Sequence, residues 1–449
     1  MALEREYDVV VIGSGPAGGV VAPKCRSAGR TVALVESRQF GGTCPNRGCN
    51  PKKVLVAAAE IIHRTQSMRE KGIWGAVTID WPELMRFKKS FTDPVSENKR
   101  NSFQNAGIDV YQGEARFLDE HSIRANEHVL TGKHLVVASG MITRKLNIEG
   151  EHLLVDSEGF LELEQLPDSI IFIGGGYIAL EFAHIAALAG AKVTILEMKN
   201  TVLPGFDQDM VRLLVEASKE MGIEIHTNVQ VQSLSREDDL VKVYGGSGGQ
   251  TEFQASLVVN AAGRIPDVGP LKLEQGHIEA SPQGIAVNEY LQSISNDSVY
   301  AAGDVAASPF PLTPVAAMEG GIVAENILRG NTVKADYAGV PQVVFTIPPL
   351  ASTGMLEDQA RELGIVYESR FYETSSWFSS RRIGLKYSGA KVLIAKHSRR
   401  ILGAHLFGHN ADEVINIFSM AIRGNLTAHN LERMLWTYPS STYEINYML

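Results

Sequence analysis

The chain has 449 residues, of which 44% are hydrophobic and 21% are charged, and three of them are cysteines. This length allows two to four domains with large cores. The net charge of −9 argues against nucleic acid or an anionic membrane surface as a partner. No signal peptide opens the sequence and no apolar run reaches membrane-spanning length. We therefore expect a cytoplasmic protein.

The first predicted element is a buried parallel strand at residues 7–12, which leads into the motif G-S-G-P-A-G at residues 13–18. A helix of small residues follows, and a second strand at residues 31–35 ends in Glu36. Such a βαβ unit uses its glycines for the turn, for close approach to a pyrophosphate and for helix packing, while the acid binds a ribose hydroxyl. The pattern predicts a dinucleotide site that contains Gly13, Gly15, Gly18 and Glu36.

Two cysteines, Cys44 and Cys49, are separated by four residues and precede a predicted helix at residues 54–63. A pair so spaced at a helix start can close a small ring, and we expect the helix dipole and nearby cations to lower the pKa of its thiols. A metal site would need a second cluster of Cys or His, which the sequence lacks, and structural disulfides are uncommon in large chains with few cysteines. The pair therefore predicts a redox-active disulfide and no metal site.

A second dinucleotide unit follows a region of helices and short strands at residues 79–156. Its first strand, at residues 169–173, leads into G-G-G-Y-I-A at residues 174–179, and its second strand ends in Glu197. Two complete units in one chain imply two bound dinucleotides. A later segment, at residues 299–305, is predicted to return to the first domain.

These motifs together resemble the class I pyridine nucleotide–disulfide oxidoreductases, the family of glutathione reductase, dihydrolipoamide dehydrogenase and mercuric reductase. The likeness covers nearly the whole chain and includes A-S-G at residues 138–140, A-G-R-I-P-D at residues 262–267 and G-D at residues 303–304. It implies an α/β fold with two Rossmann-like domains, for FAD and NAD(P), and a C-terminal α+β dimerisation domain. The implied boundaries are 1–145 for the first part of the FAD domain, 146–264 for the NAD(P) domain, 265–335 for the return segment of the FAD domain and 336–449 for the dimerisation domain.

The resemblance also implies the roles of individual cofactor contacts. Asp304 would bind the ribitol chain of FAD, and Thr313 would lie in a turn beside the pyrimidine edge of the flavin. Tyr177 would cover the nicotinamide pocket until the cofactor displaces it. The other residues implied to bind cofactors are Gly42, Thr43, Ser139, Gly140, Gly174, Gly176, Glu197, Gly263, Arg264 and Gly303.

The sequence favours NADH over NADPH as the reductant. Glu197 lies where an acid accepts hydrogen bonds from both ribose hydroxyls and repels a 2′-phosphate. Two residues point the other way: Ala179 replaces the third glycine, a change often seen in NADPH users of the family, and Lys199 lies two residues after the acid.

Near flavin N5, the family pairs a lysine that follows the cysteine pair with a glutamate, which is Glu181 in this sequence. Both Lys52 and Lys53 are candidates for the lysine. A cation beside N5 stabilises electron density that arrives there, and a buried carboxylate keeps the lysine charged and in place. By the same resemblance, Cys49 would lie nearer the flavin as the charge-transfer thiolate, and Cys44 would attack an external disulfide.

The C-terminal domain is predicted to contain helices at residues 357–363 and 411–422. Strands at residues 383–387, 392–396 and 401–406 are predicted to form an antiparallel sheet. In the family this domain builds a homodimer, and its last segment reaches the disulfide of the partner subunit. We therefore expect a homodimer whose active site is shared between the subunits.

That last segment departs from the family. It usually reads His-Pro-Thr with a glutamate a few residues later, but here Tyr438 replaces the histidine and Glu444 lies one residue too late. A phenol titrates near pH 10, whereas the histidine that serves as acid–base for the thiols titrates near pH 6.5. We expect Tyr438 only to donate a hydrogen bond to a thiolate, and the Cys44 thiolate to depend on the helix N-terminus and Arg47. Turnover with a bulky disulfide should fall by about 10²–10⁴-fold if nothing replaces the histidine.

Three functions fit these residues. The first is an FAD-dependent NAD(P)H:disulfide oxidoreductase that passes electrons from NADH through FAD and the Cys44–Cys49 disulfide to a small-molecule or protein disulfide. The second reduces a quinone, a metal ion or a sulfur species, for which a proton shuttle is dispensable. The third is a flavin-binding regulatory protein without turnover, against which the intact cysteine and lysine–glutamate pairs argue. The sequence leaves the electron acceptor open.

Overall fold

A computed structural model of the chain describes residues 3–246, 249 and 251–449. The helices are α1 Gly18–Ser27, α2 Thr43–Arg47, α3 Cys49–Ser67, α4 Trp81–Thr92, α5 Val95–Asn105, α6 Ser157–Phe160, α7 Tyr177–Leu188, α8 Gln208–Glu220, α9 Thr313–Arg329, α10 Glu357–Glu362, α11 Phe378–Arg381, α12 Ala411–Arg423, α13 Ala428–Glu432 and α14 Ile445–Met448.

The strands run from β1 near the N-terminus to β23 in the last third of the chain. They are β1 Leu3–Ile12, β2 Val32–Glu36, β3 Asp109–Gln112, β4 Ala115–Phe117, β5 Ser122–Ala125, β6 His128–Val137, β7 Met141–Thr143, β8 Ser169–Ile173, β9 Lys192–Leu196, β10 Ile223–His226, β11 Val231–Glu237, β12 Leu240–Gly245, β13 Thr251–Ala255, β14 Leu257–Asn260, β15 Arg264–Pro266, β16 Ala280–Ser281, β17 Gly284–Ile285, β18 Val299–Ala301, β19 Gln342–Val344, β20 Leu350–Gly354, β21 Tyr367–Glu373, β22 Gly389–Ala395 and β23 Ile401–Phe407.

The chain divides into two compact units, each built from separate stretches of sequence. Unit 1 contains Met1–Lys52, Phe87–Arg144 and Arg264–Tyr337, and unit 2 contains Lys53–Arg86, Lys145–Gly263 and Ala338–Leu449. Residues 299–305, which the sequence predicts to return to the first domain, belong to unit 1. The predicted boundaries between three domains stay a prediction.

Unit 1 is organised around one sheet in the order β3-β2-β1-β6-β5-β4, with β18 also pairing with β6. Strand β1 runs parallel to both β2 and β6, so that Ile12 lies opposite Val35 and Val137. Strand β18 also runs parallel to β6. The carboxyl ends of these four strands therefore meet at one edge of the sheet, where open α/β sheets bind their ligands.

Strand β1 explains why this sheet is buried on both faces. Val9 and Val11 belong to one hydrophobic cluster, with the residues of α1, while Val10 and Ile12 belong to another. Since successive side chains of a strand point to opposite faces, an unbroken apolar run needs cover on both sides. The sequence has such a run at residues 9–12, as expected for a central parallel strand.

Unit 2 contains a second parallel sheet, in the order β10-β9-β8-β14. Helix α7 lies between β8 and β9 in sequence and is buried along most of its length, since its alanines, leucines and isoleucines pack into the main hydrophobic cluster of the unit. This confirms the predicted second βαβ unit. A separate three-stranded antiparallel sheet has the order β11-β12-β13.

The C-terminal part of unit 2 is an antiparallel sheet in the order β19-β20-β23-β22-β21, and α12 packs on it. The predicted strand at residues 383–387 is wrong. The chain turns there instead, at the end of α11, and Gly384 takes a φ of 69° that suits a turn and not a strand. The strand that pairs with the outer side of β22 is β21, which lies earlier in the sequence.

Along the part of the chain that the structure describes, we find no helix that is both long and apolar enough to cross a bilayer.

Candidate active site

The loop after β1 packs against the end of β6 in a way that only glycine allows at its first position. Gly13 has a φ of +101°, and a Cβ at this position would lie 2.3 Å from the Ala138 carbonyl oxygen. Ala138 follows β6 directly, so the ends of two neighbouring strands touch here. This is the close backbone packing that the glycine motif of a dinucleotide site requires. The predicted Gly13–Gly15–Gly18 loop thus fits FAD.

Glu36 fixes the same loop from the end of β2. Its buried carboxylate accepts hydrogen bonds from Ser14 N at 3.0 Å and Ser14 Oγ at 2.6 Å, and from Arg38 N at 2.8 Å. The Ser14 hydroxyl also accepts a hydrogen bond from Gly41 N, at 2.9 Å. Ser14 therefore connects the glycine loop to the segment that carries the cysteines.

A second contact between these segments involves Gly42. Its φ is +71°, and a Cβ would lie 2.6 Å from the Gly15 Cα atom. Sequence reasoning missed Asn46, whose amide Nδ2 donates to the carbonyl oxygens of Phe40 and Gly42 at 3.0 and 2.8 Å. Asn46 lies inside the short helix α2, and the only signal in the sequence was the residue type, since an asparagine side chain readily bonds to nearby backbone.

A small two-stranded sheet, β7 with β15, holds the next predicted residues. The Ser139 hydroxyl donates to the Asp267 carbonyl oxygen at 2.7 Å, and Asp267 N donates to the Gly140 carbonyl oxygen at 2.9 Å. The Arg264 guanidinium donates to the Met141 carbonyl oxygen. These contacts connect two of the three sequence stretches of unit 1 beside the dinucleotide loop. Gly263 immediately precedes this sheet, at the end of a unit 2 segment.

Gly303 and Asp304 follow β18 and so lie at the same sheet edge as the dinucleotide loop. Burial raises the pKa of the Asp304 carboxyl, an effect that the positive charge of Arg264 opposes. A carboxylate in this position can accept hydrogen bonds from the hydroxyl groups of a polyol chain. The geometry fits the predicted contact with the ribitol of FAD.

The cysteine pair lies at the junction of α2 and α3. Cys44 is inside the short helix α2, and Cys49 is the first residue of α3. Both are thiols in the structure. The Sγ atom of Cys49 is 3.5 Å from Thr313 Oγ1 at the start of α9, and the Sγ atom of Cys44 is 4.0 Å from Asn50 Oδ1. The structure thus brings three predicted residues together within unit 1, namely Cys44, Cys49 and Thr313.

The predicted lowering of the thiol pKa is wrong for Cys44 in this reduced pair. A hydrogen bond shared with the Cys49 thiol, followed by burial, raises the pKa of Cys44. Two adjacent sulfurs share one proton more readily than they carry two negative charges. Arg47 was expected to stabilise the Cys44 thiolate. In the structure its guanidinium donates a hydrogen bond to Gln39 Oε1 at 2.7 Å.

In unit 2, Glu197 has the position that the sequence predicts, one residue beyond β9. It is buried and accepts hydrogen bonds from Gly175 N and from Lys199 N, the latter at 2.7 Å. The glycine loop lies between β8 and α7, and Tyr177 is the first residue of α7 and is 48% exposed. Gly174, Gly176 and Tyr177 are therefore placed together in this unit.

Glu181 on α7 is buried and accepts a hydrogen bond from the backbone N–H of Phe345 at 2.7 Å. The Lys53 ammonium lies over the Phe345 ring, 4.2 Å from its centroid. Phe345 thus contacts both members of one candidate lysine–glutamate pair, a role that the sequence did not indicate. Which of Lys52 and Lys53 serves the flavin stays a prediction.

The C-terminal segment places Tyr438 and Glu444 differently from a catalytic dyad. Tyr438 is 69% exposed, and its ring centroid is 4.8 Å from that of Tyr443. Glu444 is buried, and its carboxylate accepts a hydrogen bond from Ser379 N at 2.9 Å. The aromatic Tyr443, rather than a carboxylate, is therefore the residue that the structure shows against Tyr438.

Asp207, Asp209 and Glu357 form the one cluster within the described residues whose acidic oxygens lie close enough to hold a metal ion. The buried Lys391 ammonium is bonded to all three, at 2.8 Å from Asp207 and 3.1 Å from Glu357. A cation already lies among these carboxylates and offsets part of their charge, so we interpret the cluster as a structural ion-pair network.

Residues 7–320 match the family model described as pyridine nucleotide-disulphide oxidoreductase, and residues 340–449 match the model of its dimerisation domain. The chain belongs to the pyridine nucleotide–disulfide oxidoreductase family. It is therefore an α/β flavoenzyme that uses FAD and NAD(P)H, and the second match supports formation of a homodimer. The predicted family, fold class and cofactors are confirmed.

Curated relatives include dihydrolipoyl dehydrogenase of Bacillus subtilis, which is 32% identical over 445 residues, covering 97% of this chain and 94% of the relative. The enzyme of Haloferax volcanii is 29% identical over 451 residues, covering 96% and 93%. Among solved structures, the flavoprotein disulfide reductase RclA of Escherichia coli has a TM-score of 0.88 at 29% identity and 98% coverage of both chains. The Cu(II) complex of a cysteine-to-serine mutant of RclA has a TM-score of 0.89 at 28% identity and 99% coverage of both.

Proposed function

We propose that this enzyme uses NADH to reduce an external disulfide through the Cys44–Cys49 pair. The observation that carries the proposal is the pair of thiols at the α2–α3 junction, with the Sγ atom of Cys49 3.5 Å from Thr313 Oγ1, in the unit that holds the FAD loop. Bound FAD supplies the hydride acceptor for NADH and the electron pair that opens the Cys44–Cys49 disulfide. The family match and the RclA structures, described as flavoprotein disulfide reductases, support this class of reaction.

The chemistry of the thiols follows from their positions. Cys44 loses its proton and its sulfur attacks the external disulfide, which forms a mixed disulfide and releases one thiolate that takes up a proton. The Cys49 thiolate then attacks Cys44, which closes the internal disulfide and releases the second thiol. Because the pKa of Cys44 is raised in the reduced pair, the first proton transfer needs a base, and a phenol at neutral pH is a poor one.

The Tyr438→His variant tests this proposal. We expect it to raise kcat for disulfide reduction by at least about tenfold, because an acid–base group near neutral pKa returns to the site. The rate at which NADH reduces the enzyme, measured by stopped flow, should stay the same. Tyr372→His is the matched control, since Tyr372 is another partly exposed tyrosine of unit 2. If Tyr438→His shows no gain for any disulfide in a broad panel, the acceptor is of another class.

A metal ion is the second candidate acceptor, and one observation favours it: solved structures of the similar RclA include Cu(II) complexes. Two thiolates can reduce two Cu(II) ions to Cu(I) as they form a disulfide, and this reaction does not require a proton to be returned. NADH oxidation with Cu(II) in the presence of a Cu(I) chelator would test this route. Cys44→Ser should abolish the activity, while Cys25→Ser, in the buried core of unit 1, should retain it.

The preference for NADH rests on Glu197, whose carboxylate is held at the second glycine loop by two backbone N–H groups. We expect kcat/KM with NADH to exceed that with NADPH by at least about tenfold, since an acid there repels a 2′-phosphate. Glu197→Gln should narrow this ratio, whereas Glu224→Gln, exposed on β10, should leave it unchanged. Equal kcat/KM values for both nucleotides in the unchanged enzyme would contradict the assignment.

A further inference from the structure

Glu319 on α9 is completely buried in unit 1, yet none of the roles described above uses it. Its Oε2 accepts a hydrogen bond from the backbone N–H of Gly303 at 2.6 Å, and its Oε1 accepts one from the Tyr337 hydroxyl at 2.7 Å. Gly303 directly precedes Asp304. One carboxylate therefore connects the loop of the predicted ribitol contact to α9 and to the end of unit 1.

The neighbouring residue connects the same helix to the pyrophosphate loop. A Cβ at Gly320 would lie 2.5 Å from the carbonyl oxygen of Ala17, which belongs to the motif at residues 13–18. Helix α9 thus packs in backbone contact with the first glycine loop. Adjacent residues of α9 contact the two loops that the FAD site needs, Glu319 through a hydrogen bond and Gly320 through close packing.

The chemistry of the contacts calls for a carboxylate and not merely a polar side chain. Gly303 N–H and the Tyr337 hydroxyl each donate to a different oxygen of the side chain, so both oxygens must accept. A glutamine would turn an N–H₂ group toward one of these donors. Burial raises the pKa of Glu319, and the charge of Asp304 adds to the effect, while hydrogen bonds with Tyr337, Gly303 and Ser308 oppose it. Burying a carboxylate lowers the stability of the folded protein, so a fully buried glutamate indicates a role in addition to stabilising the fold.

We propose that Glu319 is a positioning residue for FAD, which holds the Gly303–Asp304 loop against α9 so that Asp304 meets the cofactor in the correct geometry. This inference rests on the proposed role of Asp304 and does not depend on the identity of the electron acceptor. It goes beyond the proposed function because it assigns a role to a residue that need not touch the cofactor.

The test compares four holoenzymes with the unchanged one: Glu319→Gln, Asp304→Asn, Tyr337→Phe and, as a control on the same helix, Glu325→Gln, which breaks only the surface ion pair with Arg329. The release of FAD after dilution is followed by the rise in flavin fluorescence. We expect release to be at least about tenfold faster for Glu319→Gln and Asp304→Asn, about threefold faster for Tyr337→Phe, and within about twofold of the unchanged enzyme for Glu325→Gln.

A second readout separates positioning from a general loss of stability. The midpoint potential of the bound flavin should shift in Glu319→Gln and in Asp304→Asn, but not in Glu325→Gln. If Asp304→Asn accelerates release and Glu319→Gln does not, the inference is wrong while the role of Asp304 stands. If Asp304→Asn changes neither the release of FAD nor the flavin potential, both the role of Asp304 and the role of Glu319 are wrong. Should Glu319→Gln not fold, Tyr337→Phe decides, and an unchanged release rate in that variant overturns the inference.

Discussion

His184 is enclosed on all sides by unit 2, and its contacts fix one neutral tautomer. The Nδ1 atom accepts a hydrogen bond from Ile347 N at 3.0 Å, so Nε2 carries the proton and donates to Ser218 Oγ at 2.9 Å. The Ser218 hydroxyl donates in turn to the Leu214 carbonyl oxygen at 2.7 Å. Three residues earlier on α7, Glu181 binds the backbone of Phe345. One face of α7 thus binds the backbone of Phe345 and Ile347, in the segment between β19 and β20.

The burial of His184 predicts how the stability of the protein depends on pH. It lowers the pKa of His184 to about 3 in the folded protein, from an ordinary value near 6.5. The unfolded chain therefore binds one more proton below pH 6.5, so the stabilisation is complete above that pH and is lost as the pH falls from about 6.5 toward 3. The partly buried His409, whose pKa is lowered to about 4, adds to the same trend.

His184→Gln should show a shallower loss of stability with pH than the unchanged enzyme. The free energy of unfolding, from denaturant titrations at several pH values between about 5 and 8, gives this slope. His429→Gln, at an exposed position on α13, should keep the original slope. An identical slope in the His184 variant would mean that this histidine is protonated equally in both states.

At the scale of elements, the packing contact between the first glycine loop and the segment that carries the cysteines depends on Gly42. Alanine there would meet the Gly15 Cα atom at 2.6 Å, in addition to the strain of a φ of +71°. Gly29 also has a positive φ, of +83°, but no atom lies within 4 Å of its Cβ position, so Gly29→Ala tests a positive φ without a steric contact. Gly42 combines its positive φ with a ψ of −161°, a region open essentially to glycine alone, and another residue there costs about 1–3 kcal/mol.

We therefore expect Gly42→Ala to lose most of its FAD and Gly29→Ala to keep it, because only the first displaces the loop that faces the cofactor. The ratio of flavin to protein absorbance after purification measures this directly. The cysteines should also become more accessible to a thiol reagent in Gly42→Ala. Full flavin content in that variant would show that the contact between Gly42 and Gly15 is dispensable.

At the scale of the whole molecule, unit 2 exposes apolar side chains along its C-terminal segment. Leu435 is fully exposed, and Met434, Tyr438 and Tyr447 are each about half exposed or more. Exposed apolar groups close together in sequence and on one unit are typical of a protein–protein interface. With the match to the dimerisation domain at residues 340–449, a second copy of the chain is the expected partner.

Leu435→Glu should therefore shift the enzyme toward the monomer, since a charge cannot be buried in an interface without a partner. Sedimentation velocity over a range of concentrations measures the equilibrium. Leu363→Glu, at another exposed leucine of unit 2, should leave the dimer intact. Disulfide reduction should fall together with the dimer if the active site is shared between subunits. A dimer that survives Leu435→Glu unchanged would place the interface elsewhere.

Sequence patterns alone were enough to predict the two βαβ units and the cysteine pair, because each is a local pattern whose chemistry depends on a few neighbouring residues. Contacts between residues far apart in the sequence were visible only in the tertiary structure. The Glu444 carboxylate accepts a hydrogen bond from Ser379 N, and the Tyr443 ring packs against the Tyr438 ring. The tertiary structure also placed Glu319 beneath Gly303. No spacing in the sequence encodes such contacts, since they arise where separate elements pack, and the raised pKa of Cys44 likewise depends on burial and on the distance between two sulfurs.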